Sequence, residues 1–316
     1  MASNAPELPS GYRLRAVDPA QDLAAVSALF LACDVADHGK HEHQDAWIVE
    51  TWRSDGLAGA WVVDHDGDDG LVAYAELETY DAAKAFDAYV PIHPAHRDGP
   101  LLVALLAFLE VEVQARMRGA EVALRPGAPA EAGYFRDAAT DLGFEHVRTF
   151  WHMERALDPA EPTGDLPPGV TIRPSLDPED DETVYRVLDG SFRGHFGIEP
   201  MTFEAWRSDF KDGMYDPSRV LIAEVDGEAA GVADSWVPDG IGWIGDLGVL
   251  ERFRGRGIGT ALLRHSFTML AARGVTEVRL NVDAENETGA TRLYASVGMT
   301  ERRRFQVYEK RVRAAG

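Results

Sequence analysis

Trp243-Ile244-Gly245-Asp246-Leu247-Gly248-Val249 gives way, two residues on, to Arg252-Phe253-Arg254-Gly255-Arg256-Gly257-Ile258-Gly259-Thr260. The first segment is apolar and bounded by turn residues, as a strand is. The second is a glycine-rich turn. Beyond it Ile258, Ala261, Leu262, His265, Met269 and Ala272 recur at helical spacing and predict a long amphipathic helix over 258–273. A strand, a glycine turn and a helix N-terminus together expose backbone N–H groups where the helix dipole is positive, which suits a pyrophosphate. Glycine lets that backbone come close to a ligand. Arg252, Arg254, Arg256 and Arg264 concentrate positive charge here, in a chain of net charge −22. A turn with solvated arginines is the plain structural alternative. A P-loop would need Gly-Lys-Ser or Gly-Lys-Thr, which is absent. A dinucleotide fingerprint would place a glycine where Thr260 stands; Asp283, ending the next strand, keeps that reading open though weakened.

Outward from this segment the order of elements is that of an α+β domain. Strands are predicted over 170–174, 220–225, 230–236, 242–249, 277–282 and 305–309, with helices over 179–192, 203–210, 258–273 and 289–297. The same plan occurs earlier in the chain. Gly11-Tyr12-Arg13-Leu14-Arg15 returns as Gly169-Val170-Thr171-Ile172-Arg173, and Trp61 to Gly67 returns as Leu221 to Gly227, both ending in an Asp-Gly hairpin signal. Leu142-Gly143-Phe144 returns as Val297-Gly298-Met299. Three ordered matches predict two tandem α+β (mixed α/β) domains, 1–157 and 170–316, each a mixed central sheet flanked by helices. Residues 158–169, rich in proline, glycine and acid, read as the linker.

A chain of 316 residues with 45% hydrophobic composition accommodates two such cores. Cys33 is its one cysteine, so there is neither an internal disulfide nor a cysteine-built metal site. No run approaches the roughly 20 apolar residues of a membrane helix, and residues 1–7 lack the features of a secretory signal, so a cytoplasmic protein is expected. The excess of 53 acidic over 31 basic residues argues against nucleic acid and anionic membranes and favours cationic ligands such as amines, besides keeping the protein soluble. His38, His41 and His43 lie among Asp37, Glu42 and Asp45 at spacings matching no standard zinc pattern, so no metal is expected.

Arg254-x-x-Gly257-x-Gly259 between a strand and a long helix resembles motif A of the GNAT acetyltransferase superfamily. Asn286 followed by Leu293-Tyr294-x-x-x-Gly298-Met299 resembles its motif B. The resemblance covers about the last 145 residues by motif and the first 155 in outline. It implies acetyl-CoA as co-substrate, wedged between the strand ending at Val249 and the next parallel strand. Arg254, Gly255, Arg256, Gly257, Ile258, Gly259 and Thr260 would hold the pyrophosphate. Leu247, Gly248 and Val249 would bind pantetheine and polarise the thioester carbonyl. Asn286, which would also contact the coenzyme, lies eight residues before Tyr294 where the family has seven, a departure that makes Gly289 the insertion. A tandem chain with a silent first half is loosely similar to the mycothiol synthases.

Acyl transfer from a thioester to an amine needs a neutral amine, a donor for the oxyanion and a proton for the leaving thiolate. The resemblance makes Tyr294 the general acid, although its place beside Ala290, Leu293 and Val297 also suits plain core. Asp246 beside the thioester, Asp234 on the neighbouring strand, and His195 in the loop after the first helix are candidate bases; each also has a structural reading. Trp206, Trp236 and Trp243 wall an acceptor site or fill the core. In the first half Pro100 and Leu102 stand where Gly257 and Gly259 stand in the second, and Ala139 replaces Tyr294. That copy is expected to be degenerate and without coenzyme. The expected function is acetyl transfer to a primary amine of a small molecule by direct attack in a ternary complex; a homodimer is compatible. The alternatives are a non-catalytic acyl-CoA sensor or scaffold and a nucleotide-binding oxidoreductase.

Overall fold

The computed structural model describes residues 8–39, 45–68, 70–176, 178–198, 200–210, 216–286 and 289–314. His41, Glu42 and His43 lie outside these residues. In chain order the first half contains β1 (Tyr12–Ala16), α1 (Leu23–His38), α2 (Asp45–Arg53), β2 (Leu57–His65), β3 (Leu71–Glu78), β4 (Ala85–Tyr89), α3 (Leu101–Arg116), β5 (Glu121–Pro129), α4 (Gly133–Asp141) and β6 (Glu145–Ala156). The second contains β7 (Val170–Pro174), α5 (Asp181–Phe192), α6 (Phe203–Phe210), β8 (Leu221–Val225), β9 (Glu228–Trp236), β10 (Gly242–Val249), α7 (Ile258–Ala272), β11 (Glu277–Asp283), α8 (Ala290–Ser296) and β12 (Thr300–Arg313). The two series follow one plan, and each builds a mixed sheet.

Two compact units are present, Met1–Thr149 with Arg304–Gly316, and Phe150–Arg303. The sequence repeat divides at 158–169, whereas the compact units divide at 149/150 and 303/304. In the first unit β1, β2, β3 and β4 pair antiparallel in turn, β4 pairs parallel with β5, and β5 takes as its antiparallel neighbour β12, with Phe305 opposite Pro129 and Arg313 opposite Glu121. In the second, β7 to β10 pair antiparallel in turn, β10 pairs parallel with β11, and β11 pairs with β6, with Glu277 opposite Ala156 and Asp283 opposite Phe150. The closing strand of each repeat thus covers the open sheet edge of the other, a strand exchange that leaves neither edge bare.

The repeat is visible in side-chain geometry too. Arg15 forks onto Asp22 at 2.6 and 2.7 Å, and Asp22 accepts the N–H of Asp18. Arg173 forks onto Asp180 at 2.6 and 2.9 Å, and Asp180 accepts the N–H of Leu176. Each fork ties the first strand of its repeat to the turn entering the first helix. Further along, Arg97 donates through Nε to the Ile92 carbonyl and Arg254 to that of Val249, both at 3.0 Å and both five residues back. Of the helical face predicted for α7, Ile258, Ala261 and Leu262 are buried but Ala272 is exposed, while Leu263, Phe267 and Leu270 are buried as well. The buried face is wider than one stripe because α7 packs into two apolar clusters, one with Leu263, Phe267 and Leu270, the other with Ile258 and Leu262.

Candidate active site

Parallel strands β10 and β11 stay in register only at Gly242 opposite Val278 and Trp243 opposite Arg279. Beyond that they part. Between their separated ends lies a cavity of about 530 Å³, walled by Asp246 to Val249 on one side and by Asn281, Val282 and Asp283 on the other. Its floor is the turn Arg254, Gly255, Gly257, Ile258, Gly259 and Thr260, and its far wall includes Asn286, Leu293 and Tyr294. His195 closes another side with Phe192 and Phe196. The residues singled out from the sequence as catalytic or coenzyme-binding therefore line this one cavity, except the candidate base Asp234 and Arg256, which is exposed; both lie outside its lining.

The turn has the geometry that its glycines allow. Gly255 and Gly257 adopt φ of +74° and +78°, where a side chain would be strained. Gly257 caps α7, so the first N–H groups of the helix, without partners inside it, face the cavity floor. Gly259 is needed for space instead: a Cβ there would lie 3.0 Å from Leu293 Cδ2. Arg254 is held by carbonyls, through Nε to Val249 and through Nη2 to Ser191 at 3.2 Å, which braces the turn against the end of α5. These features fit a pyrophosphate.

At the narrow end, β10 is bulged. Ile244 opposes Ser235 and Leu247 opposes Ala233, so Gly245 and Asp246 together face Asp234. The Asp234 carboxylate accepts the N–H of Asp246, and its oxygens occupy the place a Cβ on Gly245 would take. Both carboxyls are pushed above the ordinary range, Asp246 by loss of water and Asp234 by loss of water and then by the charge of Asp246. Tyr294, 8% exposed, has its phenol pushed up to about 12 by burial, with the nearby Asp246 charge adding to it. A neutral phenol can donate a hydrogen bond. The His195 imidazole is pulled below its ordinary value by burial and then by Arg254, against the opposing pull of Asp283.

Asp234 is half-buried behind the cavity wall and not in its lining. Trp206 and Trp243 are buried, Trp236 packs against Trp243 with ring centroids 6.0 Å apart, and none of the three lines the cavity. Ser191, at the end of α5 just before the loop that carries His195, lines the cavity too, as do Phe150 and Ile198, which no motif marks. Ser191 packs under Gly248, whose Cβ would meet it at 2.9 Å. The apolar Phe192, Phe196 and Ile198 around one histidine were the available signal.

The equivalent place in the first unit is closed. There β4 and β5 keep five register pairs, from Ala85 opposite Ala123 to Tyr89 opposite Gly127. The Phe305 ring sits on Gly127, in the space of a Cβ, with its centroid 6.2 Å from that of Tyr89. Leu101, Leu102 and Ala139 are core residues.

A parallel pair that parts beside a glycine turn and a buried tyrosine is the arrangement expected of an acyltransferase cleft. The profile of the Acetyltransferase (GNAT) family matches residues 182–299. A mycothiol acetyltransferase of Saccharopolyspora erythraea is 30% identical over 256 residues, which are 78% of this chain and 84% of that protein. A GCN5-related N-acetyltransferase structure from Sphaerobacter thermophilus is 30% identical, with a TM-score of 0.87 over 98% of both chains. A tandem GNAT protein from the clavulanic acid biosynthesis pathway, 15% identical, shares the fold with a TM-score of 0.72, covering 96% of this chain and all of that one. The chain belongs to the GNAT acetyltransferase family, as a tandem member. Among the described residues no helix is long and apolar enough to cross a membrane.

Proposed function

We propose that the second unit transfers the acetyl group of acetyl-CoA to a primary amine of a small molecule, by direct attack in a ternary complex. The observation that carries this is the parting of β10 and β11 after two register pairs, which places the glycine turn, Asp246 and Tyr294 on one cavity. In this reading the turn from Arg254 to Thr260 binds the pyrophosphate, with Arg256 acting as an exposed positive charge beside it. The backbone of Leu247, Gly248 and Val249 holds pantetheine and polarises the thioester carbonyl. Asn286 supports the coenzyme from the far wall.

The acceptor arrives as an ammonium ion, drawn by the acidic chain and the Asp234–Asp246 pair. Asp246 accepts its proton, its raised pKa bringing it closer to that of the amine. The freed amine forms the C–N bond at the thioester carbon, the nitrogen of the adduct gives up its second proton to water, and the C–S bond breaks. Tyr294 donates its hydroxyl proton to the departing sulfur and is reprotonated from solvent. His195 positions the acceptor at the mouth, neutral beside Arg254. The products are an acetamide and free CoA. The relatives' name makes a mycothiol-related amine one acceptor class for this site.

We further infer one coenzyme per chain, the first unit serving packing or substrate shaping. A free-thiol release assay with acetyl-CoA across amino sugars, aminoglycosides, amino acids and a mycothiol-related amine tests the reading. Turnover that disappears in Tyr294→Phe while acetyl-CoA still binds supports it. Coenzyme binding without turnover on any amine favours the sensor reading.

A further inference from the structure

A second polar cluster stands in the first unit. His65 ends β2, Asp68 lies in the hairpin after it, and His96 ends the short turn Pro94–His96 that follows β4. The Asp68 Oδ2 atom is 2.6 Å from His65 Nδ1 and 3.3 Å from His96 Nε2, and one ligating atom from each residue lies within 4.8 Å of the others. The Tyr12 hydroxyl meets the other ring nitrogen of His96, Nδ1, at 2.8 Å. If Nδ1 donates to Tyr12, the Nε2 lone pair of His96 faces Asp68 and the space beside His65.

The fold does not require these residue types. In the second unit Val170 pairs with Val225 as Tyr12 pairs with His65, and Phe253 ends the turn before Arg254 as His96 ends the turn before Arg97. Val170, Val225 and Phe253 belong to a single apolar cluster. The same corner of the repeat is thus apolar in one copy. In the other it is built from two imidazoles, a phenol and a neighbouring carboxylate, so the polar set is an addition to the shared plan.

We propose that His65, Asp68 and His96 bind one zinc ion in the first unit. Two imidazoles with one carboxylate favour zinc over calcium or magnesium, which take oxygen ligands. Tetrahedral zinc with bonds of about 2.0–2.1 Å holds its ligands roughly 3.3 Å apart. The His96–Asp68 spacing already matches; on loading Asp68 withdraws from His65 by roughly 0.7 Å and the two imidazole nitrogens, within 4.8 Å of each other, settle at about 3.3 Å. The Asp68 side chain, 40% exposed in a hairpin, is free to make that shift, and His96 is nearly enclosed at 9%. Water completes the coordination on the open side. Tyr12 acts as the outer partner that fixes the His96 tautomer. The ion ties the β2–β3 hairpin to the turn after β4, and this role is independent of the acetyl-CoA site.

The test uses the full chain, stripped with EDTA and titrated with zinc chloride by calorimetry and by melting, with magnesium chloride as the control. One equivalent of zinc, a raised melting temperature and no magnesium effect are expected. His96→Gln weakens binding by about 10-fold or more and abolishes the melting shift, while acetyl-CoA binding is unchanged. Asp68→Asn, on an exposed hairpin and free of folding complications, shows the same loss. Absence of saturable zinc binding overturns the proposal. So does stoichiometric binding that persists unweakened in both variants, which would place the ion on other histidines.

Discussion

Gly259→Ala separates space for the coenzyme from stability of the fold. Its backbone is ordinary helix, so alanine has no conformational penalty there and gains roughly 0.5–1 kcal/mol of helix preference. Against this, the new Cβ lies 3.0 Å from Leu293 Cδ2 and 3.9 Å from Val249 Cγ2. Leu293 must yield a few tenths of an ångström, at a cost of about 1 kcal/mol, the lower end for overpacking. The two terms offset, and melting moves by no more than about 2–4 °C. The coenzyme has no such compensation. The methyl enters a cavity wall where a phosphate must approach backbone N–H groups, and the Kd for acetyl-CoA should rise at least ~10-fold, or about 1.4 kcal/mol. Gly257→Ala is the contrasting variant, because φ of +78° adds about 1–2 kcal/mol of backbone strain, so stability falls along with affinity. Calorimetric titration with acetyl-CoA beside thermal melts reads both quantities. Parental affinity in a well-folded Gly259→Ala protein would refute the assignment of the pyrophosphate to this turn.

Tyr294→Phe lowers kcat about 10²- to 10⁴-fold with the acetyl-CoA Kd unchanged, measured by thiol release and calorimetry; an unchanged kcat removes Tyr294 from the chemistry. Asp246→Asn tests the buried acid pair through its pH dependence. A carboxyl whose pKa is raised in the folded state destabilises the fold as it ionises, so stability is lost as pH rises from the ordinary carboxylate value through the raised one. The variant should therefore melt above the parent at pH 8 and level with it near pH 4, while kcat/KM loses its acidic limb and falls about 10²-fold. Arg97→Ala leaves Asp37 without the fork made at 2.6 and 2.9 Å in a site where both side chains are about nine-tenths buried. The cost is about 3 kcal/mol in denaturant melts, with one acetyl-CoA per chain and its Kd retained; a changed stoichiometry would place coenzyme in the first unit.

Much of the site was legible because its signals are local. The glycines of the turn are read from backbone needs within six residues, and Gly255 and Gly257 occupy the left-handed region while Gly259 makes room for Leu293. The loss of the equivalent turn to Pro100 and Leu102 was visible in the same way. Other features were hidden. Arg256 shares the turn with Arg254 but not the cavity lining, a difference of side-chain direction that spacing does not encode. The role of Asp234 as acceptor for the Asp246 N–H depends on a bulge between two strands. His65, Asp68 and His96 meet from separate segments and match no ligand spacing.

The sequence by itself determined two copies of an α+β plan and a glycine turn before the long helix of the second, because periodicity, glycine placement and turn chemistry act over a few residues. It also determined that the first copy lost that turn. Tertiary structure alone decided which sheet each closing strand joins. β6 and β12 occupy equivalent places in their repeats, and partner choice depends on long-range register at a sheet edge. It alone decided where parallel strands part as well. β4 and β5 stay paired under the Phe305 ring while β10 and β11 separate after Trp243, and that separation makes the cavity.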